Sequence, residues 1–229
     1  MIFNKVDYRS LFDLCIICLQ HCNTPSGICS ACQKDLPWLE ARCAICALPL
    51  TATNHDTLCG PCLKKKPAFT HVDALFLYKF PIDHFIGKIK YSGKTQYIGH
   101  LAELLSTHGS LPIHADALVP VPMHRFNLYK RGFNQAELLA LELGKKLNMN
   151  VETRLLKKTQ LTRRQMTLTR DERLKNQHNV FKCIAPPHRH IVLVDDVMTT
   201  GATLDAAAQT LLSAGAERVD AIVLARTPK

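Results

Sequence analysis

Four Cys-x-x-Cys units stand in the first 62 residues: Cys15/Cys18, Cys29/Cys32, Cys43/Cys46 and Cys59/Cys62, with Cys22 outside the pattern. Each unit makes a tight knuckle that aims two thiolates at one point. Two knuckles complete a tetrahedral site of the kind Zn²⁺ accepts, so eight thiols make two sites. The simplest pairing joins consecutive units, Cys15, Cys18, Cys29 and Cys32 in one site and Cys43, Cys46, Cys59 and Cys62 in the other. An interleaved pairing fits the spacing too, and His21 or Cys22 could replace a ligand of the first site. With all four positions filled by protein, such zinc is structural rather than catalytic. A single Cys-x-x-Cys would leave thioredoxin-like redox chemistry as a rival; four regularly spaced units point to metal.

A second chemical constellation lies near the other end. Residues 191–204 read IVLVDDVMTTGATL. Four apolar residues make a buried strand, and Asp195 and Asp196 follow where that strand is expected to emerge from its sheet. Thr199, Thr200, Gly201, Ala202 and Thr203 then lead into a helix. A Gly- and Thr-rich loop entering a helix N-terminus points N–H groups and hydroxyls at an anion. Gly201 permits a close approach that a β-carbon would hinder. The two carboxylates can accept hydrogen bonds from vicinal hydroxyls, so one loop would hold both a phosphate and a ribose. An Asp-Asp pair could instead bind a divalent metal, and Thr-Thr-Gly could be a plain turn and helix cap. Neither alternative accounts for apolar strand, acidic pair, small-residue loop and helix start in this order.

Positioning these groups falls to the elements around them. The 229 residues suit one ordinary domain plus a small one, or two small ones. Strand-like runs fall at Val72–Tyr78, Ala117–Val121, His190–Val194 and Val219–Leu224. Helical spacing covers Ile82–Lys90, Tyr97–Ser106, Asn134–Leu147 and Thr203–Ala214. This alternation predicts an α/β fold with a parallel-dominated sheet flanked by helices. Between the knuckles lie turn formers and little apolar material, so metal binding supplies the folding free energy there. Lys64-Lys65-Lys66-Pro67 reads as a linker, dividing the chain into a module of residues 1–66 and a domain of residues 67–229.

Charge is concentrated rather than spread. The formal net charge is +10, which favours a polyanionic partner. Residues 145–182 hold eleven Lys/Arg against three Asp/Glu and carry most of the surplus. A solvated face is the bland reading of such a run; a mobile loop that meets an anion is the other. No apolar run approaches the roughly 20 residues of a membrane-spanning helix. Asp7, Arg9 and Asp13 interrupt the N-terminus where a signal peptide would be apolar. These features predict a soluble, cytoplasmic protein without membrane insertion, in a reducing compartment where clustered cysteines bind metal.

Residues 191–204 resemble the phosphoribosyl pyrophosphate (PRPP) signature of type I phosphoribosyltransferases. The resemblance implies that Asp195 and Asp196 take the ribose hydroxyls and that Thr199, Thr200, Gly201, Ala202 and Thr203 take the 5′-phosphate. It implies Mg²⁺ carried mainly on the pyrophosphate, so no dense protein cage is expected for it. It also implies a pyrophosphate loop, for which Val121, Pro122, Met123, His124 and Arg125 stand after an early strand. A catalytic loop that closes over PRPP matches the basic stretch from Thr162 to Asn176, with Arg163, Arg164, Gln165 and Arg173. The family's reaction displaces pyrophosphate at the anomeric carbon, where positioning and neutralising the leaving group matter most.

Three further features narrow the match: Lys130-Arg131-Gly132-Phe133-Asn134-Gln135 ahead of a helix, QMTLTRDERLKN at 165–176, and a knuckle module before the whole. Together they resemble the ComF family of competence proteins. That resemblance implies a type I phosphoribosyltransferase-like sheet preceded by an N-terminal double zinc ribbon with two structural zinc sites. It implies a role in natural transformation and DNA uptake, handling incoming single-stranded DNA in the cytoplasm. The implied partners are PRPP or a related phosphorylated ribose, single-stranded DNA, and other competence proteins such as a ComF-type helicase. Transferase activity stays open, since the residues show no acceptor. The alternative is a phosphoribosyltransferase of nucleotide or base salvage with no DNA role. Arg131, Asn134 and Gln135 either recognise a phosphate or base edge or form a helix N-terminus with Asn134 near the cap. Phe133 reads as a core anchor.

Overall fold

The computed structural model describes residues 14–51, 57–110, 114–159, 180–185 and 188–228. In chain order the elements are α1 (Ser30–Lys34), α2 (Gly60–Lys64), β1 (Val72–Leu77), α3 (Ile82–Ser92), α4 (Gln96–His108), β2 (Ala117–Pro120), α5 (Arg125–Arg131), α6 (Gln135–Leu147), β3 (Leu156–Lys158), β4 (Phe181–Cys183), β5 (His190–Met198), α7 (Ala202–Ser213) and β6 (Arg218–Arg226). Four strands form one sheet in the order β1-β6-β5-β2, every pairing parallel. Strands β3 and β4 form a separate antiparallel pair.

A parallel sheet is covered on both faces, so its strands read as continuous apolar runs. Ile191 to Val194 obey that rule, and alternate side chains go to opposite faces. Ile191 and Leu193 join Val219, Ala221 and Val223 in one core. Val192 and Val194 join Ile222 and Leu224 in the other. The covering helices repeat a single buried stripe at i, i+3, i+4 and i+7. It is Ile82, Phe85, Ile86 and Ile89 on α3, Ile98, Leu101, Ala102 and Leu105 on α4, and Ala136, Leu139, Ala140 and Leu143 on α6. On α7 it is Leu204, Ala207, Ala208 and Leu211. Helix α7 lies over the first core and α3, α4 and α6 over the second.

The cysteine segments do not trail away from this sheet. Cys15, Cys22 and Ile28 pack into the second core, while Cys43, Cys46, Cys59 and Cys62 pack into the first. The chain between them crosses the free edge of β1. Leu39 donates to Leu75 O, Leu77 donates to Pro37 O, and Val72 donates to Ile45 O. An otherwise unpaired strand edge is thereby covered. Trp38 packs on Phe76 with ring centroids 4.9 Å apart and donates its indole N–H to Gln33 O.

The structure amends the sequence reading in several places. Strand β5 runs four residues past Val194, so Asp195 and Asp196 lie inside the strand rather than beyond it. Hydrogen bonding to β6 continues to the Met198–Arg226 pair and holds them there. Arg125 starts a helix, α5, that the spacing did not suggest. Part of the basic segment 145–182 is regular, forming the end of α6 and strands β3 and β4. Its stretch from Thr162 to Asn176 lies outside the described residues. Among the described residues no helix is long and apolar enough to cross a membrane.

Asp73 is 1% exposed; its Oδ1 forms an ion pair with Arg42 Nη2 at 2.9 Å and its Oδ2 accepts the Ser110 N–H at 2.7 Å. Arg42 also donates to Ala74 O at 2.7 Å. Arg42→Ala strands this carboxylate in the core. We expect a loss of about 2–3 kcal/mol in urea denaturation, below the 3–5 of a fully buried pair because Arg42 is partly exposed. Arg42→Ala combined with Asp73→Asn should lose less than the two single variants added together.

Candidate functional site

The carboxyl ends of β2, β5 and β6 form one edge of the sheet, the usual ligand side of an open α/β fold. Because strand side chains alternate, Asp195 and Asp196 leave β5 on opposite faces. Asp196 is 6% exposed, and Lys90 from the end of α3 sits 2.5 Å from its Oδ2. Asp196 Oδ1 accepts the Val197 N–H at 2.9 Å. Burial, reinforced by the adjacent Asp196 charge, pushes the Asp195 carboxyl up to about 8, although the Asp196 N–H and Lys90 oppose this. Burial lowers the pKa of Lys158 of β3, and the field of Asp195 counteracts that.

Beyond β5, the loop turns at Gly201, whose φ is +85°. The conformation demands glycine, and a β-carbon there would also lie 2.4 Å from Met198 Cε, the end of a flexible side chain that would have to move aside. Gly201 caps α7, Thr200 Oγ1 accepts the Ala202 N–H at 3.3 Å, and Asp205 Oδ1 accepts the Ala68 N–H at 2.7 Å. Thr199, Thr200, Ala202 and Thr203 are exposed and Gly201 is buried. The loop thus offers hydroxyls and unpaired helix N–H groups outward.

The residues Val121 to Arg125 follow β2, the direct neighbour of β5, and the Val121 N–H bonds to Val194 O at 2.9 Å. The two loops named from sequence therefore lie side by side. His124 caps α5 by accepting the Phe126 N–H at 3.2 Å. Asn134 is buried, donates to Val121 O at 3.1 Å and accepts the Ala136 N–H at 3.2 Å. Its amide is used in capping α6 and pinning the loop. Arg131 donates to Gln135 Oε1 at 2.6 Å, and Phe133 packs partly buried against the second core. A cavity of about 570 Å³ opens beside this loop, lined among others by His124, Arg125, Arg154, Lys157 and Lys158. Arg163, Arg164, Gln165 and Arg173 lie outside the described residues.

The cysteines pair by consecutive units. The thiols of Cys15, Cys18, Cys29 and Cys32 gather within 4.8 Å of one another, as do those of Cys43, Cys46, Cys59 and Cys62. Zinc–sulfur bonds of about 2.3 Å in a tetrahedron put sulfurs about 3.8 Å apart. Cys18 and Cys29 are at 3.7 Å and Cys46 and Cys59 at 3.5 Å, so both clusters fit zinc. Burial alone would raise the thiol of Cys15, but N–H groups of Cys18, Cys29 and Ile17 outweigh it and bring it to about 6. Burial likewise opposes, and N–H groups of Cys46, Cys59 and Ile45 overcome, to bring Cys43 to about 7. Backbone donors aimed at a sulfur are what a metal-bound thiolate needs. Cys22 stays outside the first cluster, with its thiol 3.1 Å from Thr24 Oγ1. Among the described residues no third group of three such ligands gathers.

Three site residues escaped the sequence reading. Lys90 pairs with Asp196, and Lys158 lies within the field of Asp195, from elements about 106 and 37 positions away in the chain. Arg226, 2% exposed at the end of β6, donates Nε to Cys46 O at 3.1 Å and Nη1 to Met198 O and Thr227 O at 3.0 Å, and also to Thr199 O. It clasps the second cysteine cluster to the start of the Thr199–Thr203 loop. The sequence reading ended that strand at Leu224, two residues short of Arg226, and nothing in the pattern names the partners of Arg226.

Comparison with known proteins agrees with this geometry. Residues 96–229 match the model of the phosphoribosyl transferase domain. The DNA utilization protein YhgH of Escherichia coli strain K12 is 34% identical, over 88% of this chain and 91% of its own. Competence protein F of Haemophilus influenzae is 31% identical over the same shares. Competence protein ComFC of Bacillus subtilis is 25% identical over 87% of this chain and 84% of its own.

Two measurements test the site as built. Elemental analysis should find about two zincs per chain, and a single zinc would mean that one cluster does not bind. Asp195 titrates near 3.9 when unfolded and near 8 when folded. Between these values the native state holds the extra proton, so stability falls as pH rises. Asp195→Asn should therefore match the wild type near pH 4 and exceed it above pH 8. Each kcal/mol relieved adds about 2–4 °C to the melting temperature; parallel curves at all pH values would refute the buried charge.

Proposed function

The chain belongs to the ComF family of phosphoribosyl transferase-domain proteins, and from that premise we propose that it binds PRPP at the carboxyl edge of its sheet and handles incoming single-stranded DNA in the cytoplasm during natural transformation. The observation that carries the PRPP half is one arrangement. Asp195, Asp196 and the Thr199–Thr203 loop end one strand, and Val121–Arg125 ends its neighbour. The 5′-phosphate accepts from the N–H groups at the start of α7 and from the threonine hydroxyls. The ribose hydroxyls donate to Asp195 and Asp196, which favours ionised carboxylates and opposes the burial that lifts Asp195. The pyrophosphate lies along Val121, Pro122, Met123, His124 and Arg125.

Mg²⁺ carried by PRPP would offset the charge of its pyrophosphate. Lys90 is used in pairing with Asp196, so the positive potential where leaving-group charge develops comes from Arg125, Arg154, Lys157 and Lys158 around the cavity beside the Val121–Arg125 loop. In a transfer, the bond from the anomeric carbon to pyrophosphate breaks and the electron pair leaves with the pyrophosphate. A nucleophile on the acceptor then bonds to that carbon. The names of the relatives, DNA utilization and competence proteins, and the local excess of Lys and Arg support the DNA half. Nothing observed favours the salvage alternative.

Isothermal titration with Mg²⁺-PRPP, with and without a single-stranded oligonucleotide, tests both halves. The wild type should bind PRPP, and Asp195→Ala with Asp196→Ala should abolish it. Oligonucleotide affinity should fall steeply with salt, by about 0.7 in log–log slope per neutralised phosphate. Absence of PRPP binding by the wild type would contradict the site, and absent or salt-insensitive DNA binding would contradict the partner.

A further inference from the structure

Helix α5 is the most exposed regular element around the site, and its composition is unusual. It reads RFNLYKR, with three cations and no acid in seven residues. Phe126 is 60% exposed and Tyr129 is 91% exposed. Three positions apart, they share one face of the helix. Arg125 and Leu128 share the face next to it and line the cavity beside the Val121–Arg125 loop, opposite Arg154, Lys157 and Lys158. Lys130 is exposed between the aromatic face and solvent.

A protein gains nothing in its own fold by holding two aromatic rings in water. An aromatic pair beside a basic cleft is what unpaired nucleic acid requires. Bases stack on the rings without regard to sequence, and cations track the backbone. Duplex DNA hides its base faces and cannot use such rings.

We infer that Phe126 and Tyr129 of α5 form a stacking platform for single-stranded DNA, whose phosphates run toward Lys130 and the basic cleft walled by Arg154 and Lys157. This deepens the DNA half of the function proposed above and rests on it. The platform begins directly after the Val121–Arg125 loop, so a strand docked there lies beside the PRPP site. The two ligands then share the cleft, and each should alter the affinity of the other by the same factor.

The test is fluorescence anisotropy of a labelled oligothymidylate with the full-length, zinc-loaded protein. Phe126→Ala with Tyr129→Ala should weaken binding by at least about 25-fold, since each stacked base contributes roughly 5-fold or more. The slope of log affinity against log salt should stay unchanged, because no phosphate contact is removed. Lys130→Gln should instead reduce that slope by about 0.7. Mg²⁺-PRPP titration and the melting temperature should be unaltered in the double alanine variant, which separates lost stacking from lost folding. Tyr129→Trp should preserve binding and report it directly through quenching of the new indole. If the wild type binds no oligothymidylate, the DNA reading itself falls. If it binds and the alanine variant binds equally, only the platform falls. Equal loss toward duplex DNA, or retention of a protein partner's binding at this face in place of DNA, would likewise overturn it.

Discussion

Strand β5 remains hydrogen-bonded to β6 as far as the pair Met198–Arg226, and the carboxyl edge of the sheet is built on that register. Had β5 ended at Val194, the acidic pair would sit in a free loop with both side chains able to turn the same way. Extension of the strand holds both carboxylates in the sheet edge, with Lys90 of α3 paired to Asp196 and the field of Asp195 reaching Lys158 of β3. The same register delivers Arg226 beneath the following loop, where its guanidinium donates to the carbonyls of Met198 and Thr199 ahead of the turn at Gly201. A buried arginine is expensive unless its donors are met, and here main-chain oxygens from three segments meet them. The loop is therefore preorganised before any ligand arrives, which is how a site avoids ordering costs on binding.

Arg226 also gives the cysteine clusters a meaning beyond local folding. The two clusters lie on opposite faces of one sheet, joined by a segment that seals the β1 edge. A short metal-dependent segment commits its folding free energy to whatever it packs against. The second cluster packs into the core beneath α7, and the carbonyl of Cys46 is one of the oxygens that Arg226 holds. Metal at that cluster would thus stabilise a wall of the candidate site without taking part in its chemistry. The first cluster stands farther off, tied to α4 through the contact of His100 Nδ1 with Ser26 O at 2.8 Å.

Much of this was legible in the sequence, for identifiable reasons. Period-four stripes revealed α3, α4, α6 and α7, and unbroken apolar runs revealed the parallel strands. Cysteine spacing gave the metal clusters and the consecutive pairing that the thiol distances bear out. The Asp195–Thr203 order located a site at a strand end. What escaped depended on partners distant in the chain. Lys90 looked like an ordinary cation ending a helix, Arg226 fell two residues past the expected strand, and α5 had no apolar stripe to announce it because its aromatic residues face solvent. The end of β5 was misjudged because charged residues in a strand look like its end, while pairing with β6 and the Lys90–Asp196 ion pair hold them there.

In functional terms, one edge of a sheet brings together an anion-binding loop, a carboxylate pair beside Lys90, a second loop beside a basic cleft, and an exposed aromatic helix. Such an edge suits a phosphorylated sugar and a polyanionic chain at once. The central claim is that PRPP occupies the loop that Arg226 preorganises. Hydrogen–deuterium exchange of the full chain in the presence and absence of Mg²⁺-PRPP tests it most directly. The account predicts slowed exchange of the amides of Gly201 to Leu204 and of Met123, His124 and Arg125. Protection confined to the cysteine segments, or none in these two loops at a PRPP concentration that demonstrably binds, would contradict it.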